Sequence, residues 1–554
     1  MKDKKLIWLA VAPAAICLAG LYSSELSDTD AWWHLATGEF IAHHHRLPDP
    51  DPFAYTTAMT PPASPDDATL RRFNLTHEWL AQLAMYLIAS AAGGLWAVVL
   101  AKGLLLAATG ALAGWVAVWR TGSFWWGIAS AFAGAPVIVL FAHDRPAVIS
   151  WFFVAVFVAL FEQRRLLWLL PLAALIWANC HGGFFLGWIV VAAYAVNAIW
   201  RRSEDRTRVL GYGAAAVLIS GVNPNGFGVV TILSQYRKSP MTAALMEWSH
   251  PGWWSEPYAF FILLYGAALV LLLAWRRVRI SDWLLFAAFA GASLAAFRNE
   301  PLTAWLAPIL IATYFPWRPK LPQPKIASYA ACAVLGGAAI WGIADGRLFQ
   351  LRAAEWKFPV GAASFLEAHM PGARIFNSWE DGGHLIWRGL SVFIDGRALS
   401  ENVFQDYRMI MGTEPGDTRR SAALAHYGVN AIVINAFEYN SGIIYPLVRA
   451  LAAPAESQWK LVYEDPAAMV FMRDPAEGVA ALDKSRIVDH LERECEMHVT
   501  RGPEFSLCAR NLASLFLRQG DRRRARRNLE LYVAHPYADD PEARQMLQKL
   551  RQEP

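Results

Sequence analysis

Two aspartates separated by one residue stand near the start of the run SDTDAWWHLATGEFI (27–41), and a histidine follows the second by one helical turn. A carboxylate can take a proton from a hydroxyl or ligate a metal ion. A helix over Asp30–Ile41 puts Asp30 and His34 on one face, and leaves Trp33, Phe40 and Ile41 as apolar surface to lie along a membrane. Carboxylates at an apolar boundary need a metal, a basic group or a substrate to compensate them. Asp28 has a second reading, as the cap of the helix that begins near Asp30. His43, His44 and His45 cannot all face one ion from a helix and read as its solvated end.

Further groups recur at the ends of apolar blocks. Glu78, in THEWLAQ, is either a second carboxylate of the site or a favourable charge at a helix N-terminus. HDRPAVIS carries His143, Asp144 and Arg145, and FRNEP carries Arg298 and Glu300. Arginine's planar fork suits phosphate, so Arg145 and Arg298 read as anion-binding groups or as interfacial anchors. ANCHGGFF brings Asn179 and His181 beside Gly182 and Gly183, which permit close backbone approach. The alternative is a buried, hydrogen-bonded histidine closing a helical hairpin.

The elements that must position these residues are apolar. Of 554 residues 55% are hydrophobic and 17% charged, in long blocks rather than amphipathic periods, so the first two thirds read as lipid-embedded. The stretch 6–21 reads as a retained first span. Further blocks that can approach the roughly 20 apolar residues of a crossing lie at 79–99, 103–119, 124–141, 147–161, 166–178, 183–200, 209–222, 258–275, 283–297, 302–315 and 326–343. Basic residues near span ends mark the cytoplasmic side. The clusters Lys2–Lys5, Arg164–Arg165, Arg201–Arg208, Arg276–Arg279 and Arg318–Lys325 then put the N-terminus inside and the loops around 179–183, 223–226 and 298–301 outside. Between Glu78 outside and Arg120 inside an odd number of crossings is required while two blocks are present, so one of them is broken or re-entrant. After residue 346 short mixed runs such as VFIDG and VNAIVIN read as buried strands among helices, a small α/β domain to about residue 474. The tail 475–554 reads as helical.

Together these features resemble the GT-C glycosyltransferases: a cytoplasmic N-terminus, one span, an acidic first outer loop (23–78), many further spans and an outer soluble domain. The local match is closest to the first loop of oligosaccharyltransferases, and the superfamily also holds the protein O-mannosyltransferases. The resemblance covers 1–345 by architecture and about 15 residues by motif. It implies a polytopic α-helical membrane protein of about 11–13 spans, with a C-terminal extracytoplasmic α/β domain (346–474). It also implies a bacterial-type inner-membrane location and transfer of a sugar from a polyprenyl-phosphate-linked donor to an extracytoplasmic acceptor. Asp30 corresponds to the family's loop aspartate, as base, as ligand of a divalent metal (Mg or Mn), or both. FNSWEDGGHLIW is similar to the family's acceptor-holding element through Trp379 and Asp381, with Gly383 where that element has tyrosine; ordinary turn chemistry is the alternative. The tail run NLASLFLRQGDRRRARRNLELYVAHP resembles one tetratricopeptide repeat and implies a capping role or a protein partner.

Other classes remain: a lipid-linked sugar transporter, which needs ionisable groups along a path through the spans, where apart from Lys102 there are few, and a non-catalytic scaffold built on the outer domain. No nucleotide-binding glycine loop is present, and a net charge of +4 points to no nucleic-acid partner. Cys495 and Cys508 can pair in an oxidising compartment, while Cys17, Cys180 and Cys332 read as packing residues.

Overall fold

The computed structural model describes residues 2–552 apart from 237, 240, 243–244, 317–323, 440, 455, 476, 503–505 and 536–539, and gives the backbone alone for 2–10 and 324–328. The basic run Arg318–Lys325, the side chains of Lys2–Lys5, and Pro536 of the repeat-like run thus lie outside the described residues. The chain is mostly helical and divides into two units, Met1–Asp49 with Ala68–Ala353, and Pro50–Asp67 with Ala354–Pro554. The piece 50–67 of the first loop therefore belongs with the C-terminal part of the chain.

In the first unit the apolar blocks form helices. Trp96–Thr121, Phe124–Phe141 and Gly182–Trp200 are long and apolar enough to cross a membrane, and six shorter apolar helices hold 10–17 residues each. The block 79–99 is not one helix. Trp79–Ala92 stops where Gly93 takes a left-handed φ of 68°, a conformation only glycine adopts cheaply, and a new helix runs from Trp96 to Thr121. The short helix packs against Asp30–His44, and Gly38 makes that contact possible: a Cβ there would come within 2.1 Å of the Gln82 carbonyl oxygen. Trp33 and Ile41 are consequently buried in protein rather than laid on a lipid surface, and Phe40 is half-buried. The three histidines after them are exposed at the helix end.

The connections between helices meet in two groups. Arg164 pairs with Asp205 at 3.4 Å, and Glu162 takes Arg279 at 2.8 Å, which gathers the loops around 164, 205 and 279. At the other ends, Asn179 donates to the Val222 carbonyl, Asn225 bonds Thr76, and His181 lies beside Glu78. The first group closes in a buried network. Arg120 donates to Glu162 at 2.8 Å and to both Asp282 oxygens at 3.1 and 3.2 Å, Arg279 reaches the same two carboxylates, and the Tyr194 and Tyr314 hydroxyls donate to Glu162 and Asp282. Two arginines, two carboxylates and two phenols pair with one another, both carboxylates buried, which joins five helices.

The second unit carries a four-stranded sheet of β1 (Ile375–Asn377), β2 (Ala431–Ile434), β3 (Lys460–Glu464) and β4 (Met469–Met472) in the order β1-β2-β4-β3, with β1 parallel to β2 and the other pairs antiparallel. The VNAIVIN run supplies β2, fully buried as its apolar character requires. The VFIDG run is not a ladder strand. Val392 makes single bridges to Ile375 and Ala54, because the Asn377 side chain takes the next backbone groups, accepting from Phe393 N–H and donating to Ile394 C=O. The loop piece 50–67 is held to this edge: Arg397 donates to Asp51 and Asp395 at 2.7 Å each, and the Thr56 hydroxyl donates to Phe393 C=O at 2.6 Å. Four helices follow, Arg486–Arg501, Leu507–Arg518, Arg522–Val533 and Pro541–Gln552. The middle two pack as a hairpin through the Gly520 turn, with Ala525 fully buried between them, and a Cys495–Cys508 disulfide ties the first two.

Losing one partner of a buried charge network costs about 3–5 kcal/mol. Asp282→Ala in the detergent-purified protein should therefore lower the apparent melting temperature by several degrees, whereas Arg352→Ala, which removes an exposed pair with Glu25, should leave it within about 1 °C. Equal melting temperatures for the two variants would contradict the network's role.

Candidate functional site

Arg145 lies between three carboxylates. It stands in the turn before the helix Ala147–Gln163, at the same end of the first unit as the start of Asp30–His44, so that both chain segments deliver charge to one place. Its Nε donates to Asp28 Oδ2 at 2.7 Å; its Nη1 is 3.3 Å from Asp30 Oδ2 and 3.4 Å from Glu247 Oε2. Asp28 uses its other oxygen to accept from the Asp30 backbone N–H at 2.8 Å, so it both orders the helix start and holds Arg145. Trp33 Nε1 donates to Asp30 Oδ1 at 3.1 Å, which fixes that carboxyl from its own helix. Glu247 sits in the short turn Met246–Trp248 and carries a second guanidinium: Arg298 Nη1 donates to Glu247 Oε1 at 2.8 Å, and the Arg298 guanidinium lies 4.6 Å from the centre of the Trp248 ring. Next to Arg145, Asp144 accepts from Lys102 Nζ at 3.0 Å, and the same ammonium donates to Ser24 C=O and Oγ.

Around Glu78 stand three imidazoles. His77 Nε2 is 3.4 Å and His181 Nε2 3.6 Å from its Oε1, and His34 Nδ1 is 3.6 Å from its Oε2. Each ring is oriented from outside. His77 Nδ1 donates to Phe73 C=O at 2.8 Å, Gln82 Nε2 lies 3.2 Å from His34 Nδ1, and His181 Nδ1 meets the Ser150 hydroxyl at 2.6 Å and accepts from Gly183 N–H. A Cβ on Gly183 would come within 2.6 Å of Ser150 Oγ, so glycine there is what admits the hydroxyl to the ring. Asn179 closes this side, donating to Leu175 and Val222 carbonyls and accepting from Trp79 Nε1 at 2.9 Å.

The charges differ in what they can do. Burial opposes ionisation of Asp28, but Arg145 and His143 outweigh it and hold the carboxyl well below the usual range. Burial and the neighbouring Asp28 push Asp30 up to about 6 against the pull of Arg145. Burial likewise raises Asp144 to about 6 against Lys102. The imidazoles are held neutral by burial, His34 and His143 at about 4 and His181 at about 3. Glu78 is held low because the facing imidazoles overcome its burial. At neutral pH the site thus contains one carboxyl close to its titration point that still reaches solvent, Asp30, beside a fixed anion, Asp28, and a fixed cation, Arg145.

Of the residues nominated from sequence, Asp28, Asp30, His34, Glu78, His143, Asp144, Arg145, Asn179, His181 and Arg298 lie at this end of the first unit. Glu300 is fully buried in the first turn of Glu300–Tyr314; neither of its carboxyl oxygens meets a hydrogen-bond partner among the described residues, and no charged group faces it. Trp379 and Asp381 belong to the second unit. Trp379 N–H donates to the Tyr407 hydroxyl, and Asp381 is buried, accepts from Ser378 Oγ at 2.5 Å and is pushed up to about 8 by burial. The sequence reading missed His77 and Glu247. His77 adjoins Glu78 in THEWLAQ; Glu247 is a single acid among aromatics in MEWSHP, and nothing local marks it.

A divalent ion between Asp28 and Asp30 would need the oxygens that Arg145, Trp33 and the Asp30 N–H use, and among the described residues no group of three or more His, Cys, Asp and Glu side chains is arranged to hold a metal.

No protein-family model matches the chain, and no curated protein matches its sequence. Geometry carries the functional reading.

Asp30 gives a direct test of this electrostatic arrangement. Its folded pKa is raised, so it is protonated below about pH 6 and ionised above it, while Asp28 stays ionised throughout. Infrared difference spectra of wild type against Asp30→Asn should contain a carboxyl band that disappears as pH rises through about 6. A band that is already absent at pH 4.5 would contradict this assignment.

Proposed function

We propose that this chain is a polytopic, GT-C-like membrane glycosyltransferase that moves a sugar from a polyprenyl-phosphate-linked donor to an extracytoplasmic acceptor hydroxyl. The observation that carries the reading is the position of Arg145 between Asp28 and Asp30, at one end of a set of apolar helices, with Arg298 on the same carboxylate of Glu247. A base near its titration point and two arginines that suit phosphate are the parts such a transfer needs.

In the proposed reaction the acceptor oxygen attacks the anomeric carbon of the sugar. Its proton passes to the Asp30 carboxylate. The bond between that carbon and the carrier's phosphate oxygen breaks, its electron pair stays on the phosphate, and Arg145 and Arg298 face the added charge. Asp28 keeps Arg145 in place and remains charged. His34 and His181, held neutral by burial beside Glu78, form with His77 a wall behind the acidic loop.

The finer topology belongs to the same proposal. The loops that gather at the Arg120 network carry the basic clusters around 164, 201–208 and 276–279, which supports a cytoplasmic place for that end. The helix Trp79–Ala92 then returns to the side on which it started, and Trp96–Thr121 alone makes the crossing between Glu78 and Arg120. A disulfide in the second unit suits an oxidising, extracytoplasmic compartment.

The test is sugar transfer by membranes containing the wild type, Asp30→Asn or Arg145→Gln protein, with a panel of radiolabelled polyprenyl-linked sugars, with and without chelator. Each variant should lose at least 100-fold in rate, the range expected for removing a general base or a charge-stabilising donor. Transfer unchanged in Asp30→Asn would refute the role given to that residue, and absence of transfer by wild type across the panel would refute the transferase.

A further inference from the structure

Glu247 occupies a position that the charge balance of the site does not require. Asp28 and Asp30 already face Arg145, yet Glu247 places one oxygen on Arg145 and the other on Arg298. A carboxylate that bridges two guanidinium groups presents two oxygens on one atom, which is also what a phosphate diester presents, and arginine forks bind both in the same plane. The bridge is open to exchange: the side chains of Arg145, Arg298 and Glu247 keep 23%, 28% and 33% of their surface exposed, whereas Asp28 keeps 2%. The seat itself is held independently of Glu247. Asp28 grips Arg145, Trp248 lies against the Arg298 guanidinium, and Phe297 N–H donates to Ser249 C=O, which fastens the turn beside Arg298. Rotation of one side chain would therefore empty the place between the arginines without moving the backbone that builds it.

We propose that Glu247 is an internal stand-in for phosphate: it fills the seat between Arg145 and Arg298 when no donor is bound, and the donor's phosphate enters by displacing it. The exchange keeps Arg298 paired at all times, which avoids exposing an unpaired cation at the edge of an apolar helix set, while Arg145 stays on Asp28. It also sets a threshold for binding, because an anion must outcompete a tethered carboxylate whose effective concentration is high. That the phosphate belongs to a lipid carrier rests on the transferase reading; the seat and its competitor do not.

The experiment compares binding of inorganic phosphate and of polyprenyl phosphate in mixed micelles to the detergent-purified full chain, as wild type, Glu247→Gln, Glu247→Asp and Glu247→Gln/Arg298→Gln. Removing the competing charge should tighten phosphate binding at least tenfold in Glu247→Gln. Glu247→Asp, which keeps the charge, should stay within about threefold of wild type, and the double variant should lose the gain. Equal or weaker binding by a folded Glu247→Gln protein overturns the proposal. If wild type shows no sugar transfer but Glu247→Gln still binds inorganic phosphate more tightly, the transferase reading fails and the stand-in holds. If transfer is present and the Glu247→Gln gain is absent with both probes, the reverse follows.

Discussion

A guanidinium brought out of water is expensive unless its donors are taken up, and the first unit is organised around meeting that cost at Arg145. One side chain satisfies it from just before the loop helix, Asp28 through Nε, while Asp30, on that helix, and Glu247, in the turn 246–248, approach its Nη1. Each of those carboxylates is in turn fixed by something else, a backbone N–H for Asp28, the Trp33 indole for Asp30, and Arg298 for Glu247. Taking away the arginine would leave three negative charges within reach of one another in a poorly solvated place, so the loop helix, the turn at 246–248 and the start of Ala147–Gln163 depend on a single cation for their common location.

The opposite end of the same helices solves the same problem with the signs shared out evenly. There Arg120 and Arg279 face Glu162 and Asp282, two phenolic hydroxyls complete the acceptors, and all four charges are spoken for. Neither carboxylate of that network reaches solvent as Asp30 or Glu247 does, and neither lacks an arginine donor. The contrast separates a lock from a site. A fully satisfied network holds helices at fixed height, and the end where carboxylates outnumber the cations that hold them is the end with chemistry left to perform.

Much of the site was legible because the residue types are rare in apolar sequence. Asp28, Asp30, Arg145 and Arg298 stand at the edges of long apolar blocks, where charge has to be justified, and they converge in space. What could not be read is pairing across large sequence separation. Glu247 lies more than 200 residues from Asp28, with no pattern of its own, and His77 looks like a neighbour of Glu78 until His181, a hundred residues on, is seen to face the same carboxylate. Of the two blocks between Glu78 and Arg120, one of which the sequence requires to be broken or re-entrant, 79–99 is the broken one for a local reason: hydropathy averages across Gly93 and Gly94, while backbone conformation does not. In the second unit the VFIDG run has the composition of a strand, but Asn377 offers its side chain to the backbone groups a neighbouring strand would have used, and no periodicity could show that. The first loop was read as one piece, yet Asp51 is claimed by Arg397 nearly 350 residues later, which divides the loop between the two units.

The two aspartates at the loop are close in sequence and opposite in character, and the difference decides which can act. Asp28 is almost wholly buried, gives one oxygen to the helix start and the other to Arg145, and the guanidinium keeps it ionised, so it has neither a free lone pair facing solvent nor any tendency to accept a proton. Asp30 has the weaker contact to Arg145, feels Asp28 as a like charge, and keeps about a fifth of its side chain exposed. Its pKa near 6 follows from burial first and then from those neighbours: move Asp28 away and the repulsion goes; strengthen the Arg145 contact and the carboxyl becomes as inert as its partner. A base that must be empty at neutral pH and still bind a proton tightly enough to help needs an intermediate setting, and two residues of spacing on one chain, sharing one arginine unequally, are sufficient to produce it.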